Sequence, residues 1–346
     1  MEKLLLPKPS SIGLILSYRC TSCCKHCMYA SSPYWPNDWI SLNELDHLVS
    51  KLSETISPAP LGPKSVSINS GLHFTGGEPF TNYPLLLGAV KIARKYNVPS
   101  TFVETNCFWC TSDDVARRHL TELKDSGLNG ILVSVNPFIL EYVPFERTER
   151  GVNVGYEVFQ ENLMVYQEYY RTLFKSLNLK TTLPFEDFMR KANTSWAYHI
   201  ELLPMGRAVY KLDKLFKKYP AKYFFDQSCF LELTREWHVH IDNYGNYIPG
   251  YCGGISLGNT RNFESLFEGI ALDNLPIIKA LTTDIQTLYN IGVKEFNYKE
   301  QVEGYISKCH LCLDLRKHII EEGSKFIELK PTEFYKNLLQ SPYSTP

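Results

Sequence analysis

Short apolar runs alternate with longer segments whose apolar side chains recur at helical spacing over roughly the first 200 residues. Ile12 to Tyr18 reads as a buried strand. Ser41 then opens a helix, with Glu44 in capping-box register and Leu42, Leu45, Leu48, Val49 and Leu52 on one face. Leu72 to Thr75 is a second strand, ending in Gly76-Gly77. Pro84 starts a helix through Tyr96, with Asn97 as its stop. Thr101 to Glu104 is a third strand, and a helix capped by Thr111 or Ser112 ends at Gly127. Ile131 to Val135 is a fourth strand. Val154 to Leu177 is expected to be one long helix, followed by strands near Leu179 to Leu183 and at His199 to Leu203.

This alternation predicts an α/β fold with a parallel sheet, six β/α units forming a partial (β/α)6 TIM-like barrel. Sites in such barrels lie at the C-terminal ends of the strands. From Lys211 the pattern changes. Lys211, Lys214, Lys217, Lys218 and Lys222 form a basic segment, read as a solvated helix face and linker. His238 to Asp242 and Tyr247-Ile248 then flank Asn243-Tyr244-Gly245-Asn246, a hairpin signal. A helix rich in Leu and Ile follows at about Leu275 to Tyr289. The expected organisation is a barrel over 1–215, a small C-terminal α+β domain over 220–330 and a tail over 331–346.

Composition adds exclusions. Of 346 residues, 44% are apolar and the formal net charge is −1, so a disordered chain is excluded and no footprint for nucleic acid or anionic membrane is present. No apolar run reaches the ~18–20 residues of a membrane span, and Pro7 and Pro9 interrupt the N-terminus, so a cytoplasmic location is expected. Ten cysteines in a reducing compartment point to metal ligation rather than disulfides.

Cys20, Cys24 and Cys27 follow the first strand as C-x3-C-x2-C, and Gly76-Gly77-Glu78-Pro79 follows the second. Three thiolates leave an Fe–S cluster one ligand short, with one iron open to chemistry. A zinc site borrowing a distant thiolate is the alternative. The triplet and the downstream GGEP resemble the radical S-adenosylmethionine (SAM) superfamily over about residues 12–210. The resemblance implies a SAM-binding 4Fe–4S cluster on the three cysteines, whose electron cleaves SAM so that the adenosyl fragment abstracts a substrate hydrogen. It also implies that Gly76, Gly77 and Glu78 hold the SAM amino group and that His26 faces the adenine. Ser134 and Asn136 fall where ribose contacts are made, Glu104 is a further rim candidate, and Arg207 could reach the SAM carboxylate or be structural. Cys23 is expected to be a bystander thiol.

Cys229, Cys252, Cys309 and Cys312 form a second set around the hairpin. They resemble the ligands of a twitch domain, the shorter relative of the SPASM domain, which implies an auxiliary 4Fe–4S cluster. Gly258-Asn259 and Met205-Gly206-Arg207-Ala208 strengthen the likeness, whereas Gly245 stands seven residues before Cys252 where the family usually has five. Four-thiolate zinc is the alternative. Cys107 and Cys110 remain, as a redox dithiol, partial ligands of a further cluster, or a structural pair. His238 and His240 share a hairpin face and read as packing or surface residues.

The expected function is therefore a radical SAM enzyme using its auxiliary cluster in a net oxidation. A partner-dependent peptide maturase of the RiPP type and a non-catalytic zinc protein are the alternatives. Nineteen residues precede Cys20 and 34 follow Cys312, which favours a small molecule or leader-independent peptide as substrate. A flavodoxin or ferredoxin is the expected electron donor, with the Lys-rich segment as weak evidence for its docking.

Overall fold

The computed structural model describes residues 3–192 and 199–340. They fall into two compact units. One comprises Ser10–Cys24 and Ser31–Glu201, the other Met1–Pro9, Lys25–Ala30 and Leu202–Pro346.

The first unit is built on five parallel strands: β1 (Ser11–Ile15), β2 (Gly71–Thr75), β3 (Phe102–Thr105), β4 (Gly130–Ser134) and β5 (Leu163–Tyr166). They lie side by side in chain order, in registers such as Ile12 to Leu72, Phe74 to Val103, Val103 to Ile131 and Val133 to Val165. β1 and β2 are buried along their whole length, as parallel strands covered on both faces must be. That is why they read as apolar runs. Helices Leu42–Leu52, Tyr83–Lys95, Asp113–Asp125 and Phe145–Phe159 alternate with the strands, giving the α/β class and the β/α order of a partial barrel.

The helix signals act as their chemistry requires. Ser41 Oγ accepts the Glu44 N–H at 3.2 Å, and a Glu44 carboxylate oxygen accepts the Ser41 N–H at 3.2 Å. Both donors would otherwise be orphans of the first turn. Ser112, not Thr111, caps the helix Asp113–Asp125, and Asn97 follows Tyr83–Lys95 at a φ of 53°.

Three expectations about residues 154–203 are corrected. The segment Val154 to Leu177 is not one helix. Gln160, at a φ of 51°, ends Phe145–Phe159, and Leu163–Tyr166 then enters the sheet before a helix resumes at Glu168–Ser176. The four apolar residues fit either period, and the anchoring of Asn162 to the Asn129 carbonyl (3.0 Å) sets the strand register. Leu179 to Leu183 is loop, held by the Leu183 N–H to the Leu140 carbonyl at 3.1 Å. His199 to Leu203 forms no strand either, so the described parallel sheet has five strands rather than six. Residues 193–198, immediately before it, lie outside the described residues.

The second unit carries the expected hairpin, Val239–Ile241 against Tyr247–Ile248, with His240 opposite Ile248. Asp242 Oδ1 accepts the N–H groups of Tyr244 (3.0 Å) and Asn246 (2.8 Å), an Asx turn that fixes the reversal. The apolar helix after it is two helices, Pro276–Thr283 and Ile285–Phe296, because Asp284 leaves helical geometry and caps the second through the Thr287 N–H at 2.7 Å. The basic segment is a one-turn helix, Ala208–Lys211, and a 3₁₀ turn, Asp213–Leu215, rather than a solvated helix. Lys218 within it is held by Asp213 (2.6 Å) and Glu303 (2.5 Å). Helix Lys308–Glu321 packs along Ile285–Phe296. The stretch from 331, expected as a tail, carries helix Thr332–Asn337 with Phe334 and Tyr335 buried. Among the described residues no helix is long and apolar enough to cross a membrane.

Removing the Ser41 hydroxyl leaves the first turn of Leu42–Leu52 uncapped. Ser41→Ala lowers stability by about 1 kcal/mol, read as a lower denaturant midpoint at unchanged slope.

Candidate metal and cofactor sites

Each strand end on one rim of the sheet unit contributes a loop. The loop after β2 holds Glu78, which is 1% exposed. Its carboxylate accepts Thr105 Oγ1 at 2.9 Å, the Asn106 N–H at 2.8 Å and the Phe80 N–H at 3.2 Å. Burial nevertheless dominates and pushes its pKa up to about 7, against the pull of those three donors. A charge this desolvated favours a cationic or hydrogen-donating partner over a second carboxylate.

Gly77 is required by packing. A Cβ there would collide with the Arg19 carbonyl of the first cysteine loop. Its own N–H donates to the Ser17 carbonyl at 2.8 Å, and the Glu78 N–H donates to the Arg19 carbonyl at 3.1 Å. The glycines thus let this loop dock on the segment that leads into Cys20.

Asn106 joins the same loops from the third side. Its Nδ2 donates to Thr21 Oγ1 at 3.1 Å and Ser22 Oγ at 3.3 Å and lies 4.0 Å from Cys20 Sγ. Cys20 Sγ also accepts the Ser22 N–H at 3.4 Å. N–H groups aimed at sulfur favour thiolate over thiol. Reasoning from sequence gave Asn106 no role. Its signal, a polar side chain in the loop after the third strand, is ordinary until the loop geometry is known. Cys23 is buried, and its carbonyl accepts the Tyr142 hydroxyl at 2.9 Å.

The other rim candidates divide. Glu104 is half-buried and accepts Thr75 Oγ1 at 2.5 Å, and burial raises its carboxyl to about 6. Ser134 ends β4 with partial exposure. Asn136 is buried, and its Oδ1 caps the one-turn helix Pro137–Leu140 by accepting the Phe138 (3.1 Å) and Ile139 (3.0 Å) N–H groups. That oxygen serves the backbone.

His26, Cys27 and Arg207 belong to the second unit. Arg207 is fully buried, with Nη2 donating to the Ala30 carbonyl at 2.7 Å and to the Asn337 carbonyl at 3.2 Å. Its backbone N–H donates to the Cys27 carbonyl at 3.0 Å. Of the two expected roles this geometry fits the structural one, since the guanidinium fastens the chain around Cys27. Burial, then the Arg207 charge, lowers His26 to a pKa of about 4, so its imidazole is neutral at physiological pH.

Cys229, Cys252, Cys309 and Cys312 line one cavity of about 40 Å³ with Leu233, Phe334 and Arg316. Helix Lys308–Glu321 supplies the last two cysteines from one turn, and Cys229 immediately precedes the short helix Phe230–Leu233. Burial and mutual repulsion push the Cys252 thiol up to about 12 and Cys309 up to about 11, and raise Cys229 further. Lys308 opposes this at Cys229 and Cys309, and Arg316 at Cys252 and Cys309. Four soft donors that cannot all ionise alone form a site whose natural occupant is a metal centre. The donor set fits a 4Fe–4S cluster or zinc.

Cys107 and Cys110 are both 0% exposed, with their sulfurs in hydrogen-bond contact. That contact, then burial, raises the Cys107 thiol well above its ordinary value. A Cβ at Gly151 would collide with Cys107 Sγ. All ten cysteines are free of disulfides. His240 is buried, with Nδ1 against the Tyr29 hydroxyl (2.9 Å) and the Gly250 carbonyl (3.0 Å).

No family model matches the chain. Over 144 residues it is 22% identical to YydG of Bacillus subtilis (strain 168), provisionally named a peptide biosynthesis protein. The match spans 42% of this chain and 40% of that protein. Among solved structures, BtrN in complex with AdoMet and 2-DOIA aligns over 82% of this chain and 90% of that one, with 14% identity and a TM-score of 0.47. SuiB of Streptococcus suis, bound to precursor peptide SuiA, aligns over 71% of this chain and 60% of that one, with 11% identity and a TM-score of 0.29. The fold assignment rests on the strand order and register given above.

The raised Glu78 value has a stability consequence. Between its ordinary pKa of 4.5 and about 7 the folded state keeps a proton that the unfolded chain has released. Stability of the metal-free protein therefore falls as pH rises through that window and levels off above it. Glu78→Gln removes this part of the slope, measured by denaturant melts at about pH 5 and about pH 8.

Proposed function

We propose that the protein is a radical SAM enzyme with an auxiliary iron–sulfur centre, acting on a peptide substrate. The carrying observation is the rim of the sheet unit. The first cysteine loop, the GGE loop and the loop after β3 are fastened together by Glu78 and Asn106. Cys20, Cys24 and Cys27 hold a 4Fe–4S cluster with one iron left to SAM. When bound, this group supplies one-electron cleavage of SAM and abstraction of a substrate hydrogen atom.

The chain's own residues do the rest. Gly76 and Gly77 bring backbone to the rim, and Glu78 receives the SAM amino group. Neutral His26 offers an uncharged ring toward the adenine. Ser134 and Glu104, the latter already bonded to Thr75, stand where the ribose or the substrate would be met, whereas Asn136 and Arg207 act as structural fasteners. The four thiolates of the second unit hold an auxiliary 4Fe–4S cluster, closed by its own ligands and suited to electron transfer in a net oxidation. A flavodoxin or ferredoxin supplies the first electron.

The peptide reading is supported by the name of YydG, to which less than half of this chain aligns. Zinc is the competing occupant of the four-thiolate site, which it fits equally by donor type. Iron, sulfide and zinc analysis after anaerobic purification separates the two.

Two variants test the division of labour. Cys24→Ala abolishes 5′-deoxyadenosine formation under reductant, followed by liquid chromatography, and unchanged formation refutes the ligand assignment. Cys309→Ala retains uncoupled SAM cleavage and loses modified product, followed by mass spectrometry of the peptide. Persistence of product removes the auxiliary centre from the electron path.

A further inference from the structure

Arg316 is a buried cation that the expected chemistry left unexplained. It lies on helix Lys308–Glu321 one turn beyond Cys312, and is 5% exposed. Its Nη1 donates to the Gly253 carbonyl at 3.0 Å and to the Tyr335 hydroxyl at 2.9 Å. Tyr335 in turn donates to the Gly254 carbonyl at 2.6 Å and presents its ring 5.7 Å from the guanidinium carbon. These contacts fix the plane of the fork. Nε is buried with no hydrogen-bonded nitrogen or oxygen partner. Among the described residues no carboxylate forms an ion pair with Arg316, and its neighbours of opposite potential charge are Tyr335, Cys312 and Cys252.

A guanidinium taken out of water without a counter-charge is costly by several kcal/mol. Four neutral thiols provide none. Four thiolates on a metal centre do, since a 4Fe–4S cluster with four cysteines carries net negative charge in either redox state. We infer that Arg316 is the built-in counter-cation of the auxiliary centre, raising its reduction potential so that it accepts an electron readily. Net charge and hydrogen bonds to sulfur are the protein's main controls on such potentials. The buried cation favours the reduced, more negative state, and the hydrogen bond between the Arg316 and Cys312 side chains acts in the same direction. Phe334, beside Tyr335 on helix Thr332–Asn337, lines the same cavity.

The inference rests on the four cysteines holding an iron–sulfur cluster, and the experiment separates the two claims. In a background of Cys20→Ala, Cys24→Ala and Cys27→Ala the auxiliary centre is alone in the full-length protein. Iron and sulfide counts with electron paramagnetic resonance establish whether a 4Fe–4S cluster is present. Its absence, or zinc in its place, overturns the cluster reading itself. With the cluster present, redox titration reads Arg316 directly. Arg316→Met shifts the midpoint to more negative potential or loses the cluster. Arg316→Lys, which keeps the charge and loses the fork, retains the cluster with a midpoint nearer the parent's. Tyr335→Phe, which keeps the guanidinium, leaves the midpoint close to the parent value. A complete cluster at the parent potential in Arg316→Met overturns the inference. So does Arg316→Lys behaving as Arg316→Met does, because charge is then not what the site requires.

Discussion

A buried carboxylate organises the rim of the sheet unit. Glu78 sits where three loops meet, and each of its hydrogen bonds crosses from one loop to another or stiffens its own. Water is excluded, so these donors must be in place for the carboxylate to be tolerated at all. The consequence is a pre-set arrangement. The β2 loop cannot shift without breaking the bonds of the Gly77 and Glu78 N–H groups to the Ser17 and Arg19 carbonyls, and the β3 loop cannot shift without releasing Thr105 and Asn106. Trp109 adds a stacked contact at 4.0 Å to Phe80 and a donor to Thr105 Oγ1 at 3.0 Å. The cost of desolvating one acid is thereby converted into order at the place where a cofactor with an amino group is proposed to bind.

The second unit solves the converse problem. There the buried groups are thiols that repel one another once ionised, and the compensation is cationic: Lys308 near Cys229 and Cys309, Arg316 near Cys252 and Cys312. Lys308 is itself tied to Glu232 at 2.8 Å, so its charge is already balanced. Among the described residues Arg316 has no such acid. The two cations therefore differ in what they give the site, although they stand on the same helix.

Much of the sheet unit was legible in the sequence because its strands are buried on both faces and its helix caps are local chemistry. Ser41 with Glu44 needs nothing beyond one turn, and the Asp242 turn needs five residues. The failures are tertiary. Leu163–Tyr166 became a strand because Asn162 anchors it to the neighbouring strand's start, a contact invisible to periodicity. Asp284 broke one apolar helix into two without changing its apolar content. At the candidate sites the cysteine spacings were readable, since ligand chemistry restricts residue type. Asn106, Arg316 and Tyr335 were not. Each acts through a neighbour brought close only by the fold, and the contacts of Arg207 with the Ala30 and Asn337 carbonyls were hidden from the sequence for the same reason.

The most direct measurement is Mössbauer spectroscopy of the anaerobically reconstituted, iron-57-labelled protein with and without SAM. The account predicts about eight irons per chain in two 4Fe–4S clusters. One iron site of one cluster should change on SAM addition, while the other cluster is unaffected. Spectra with no cubane cluster, or with clusters indifferent to SAM, contradict it.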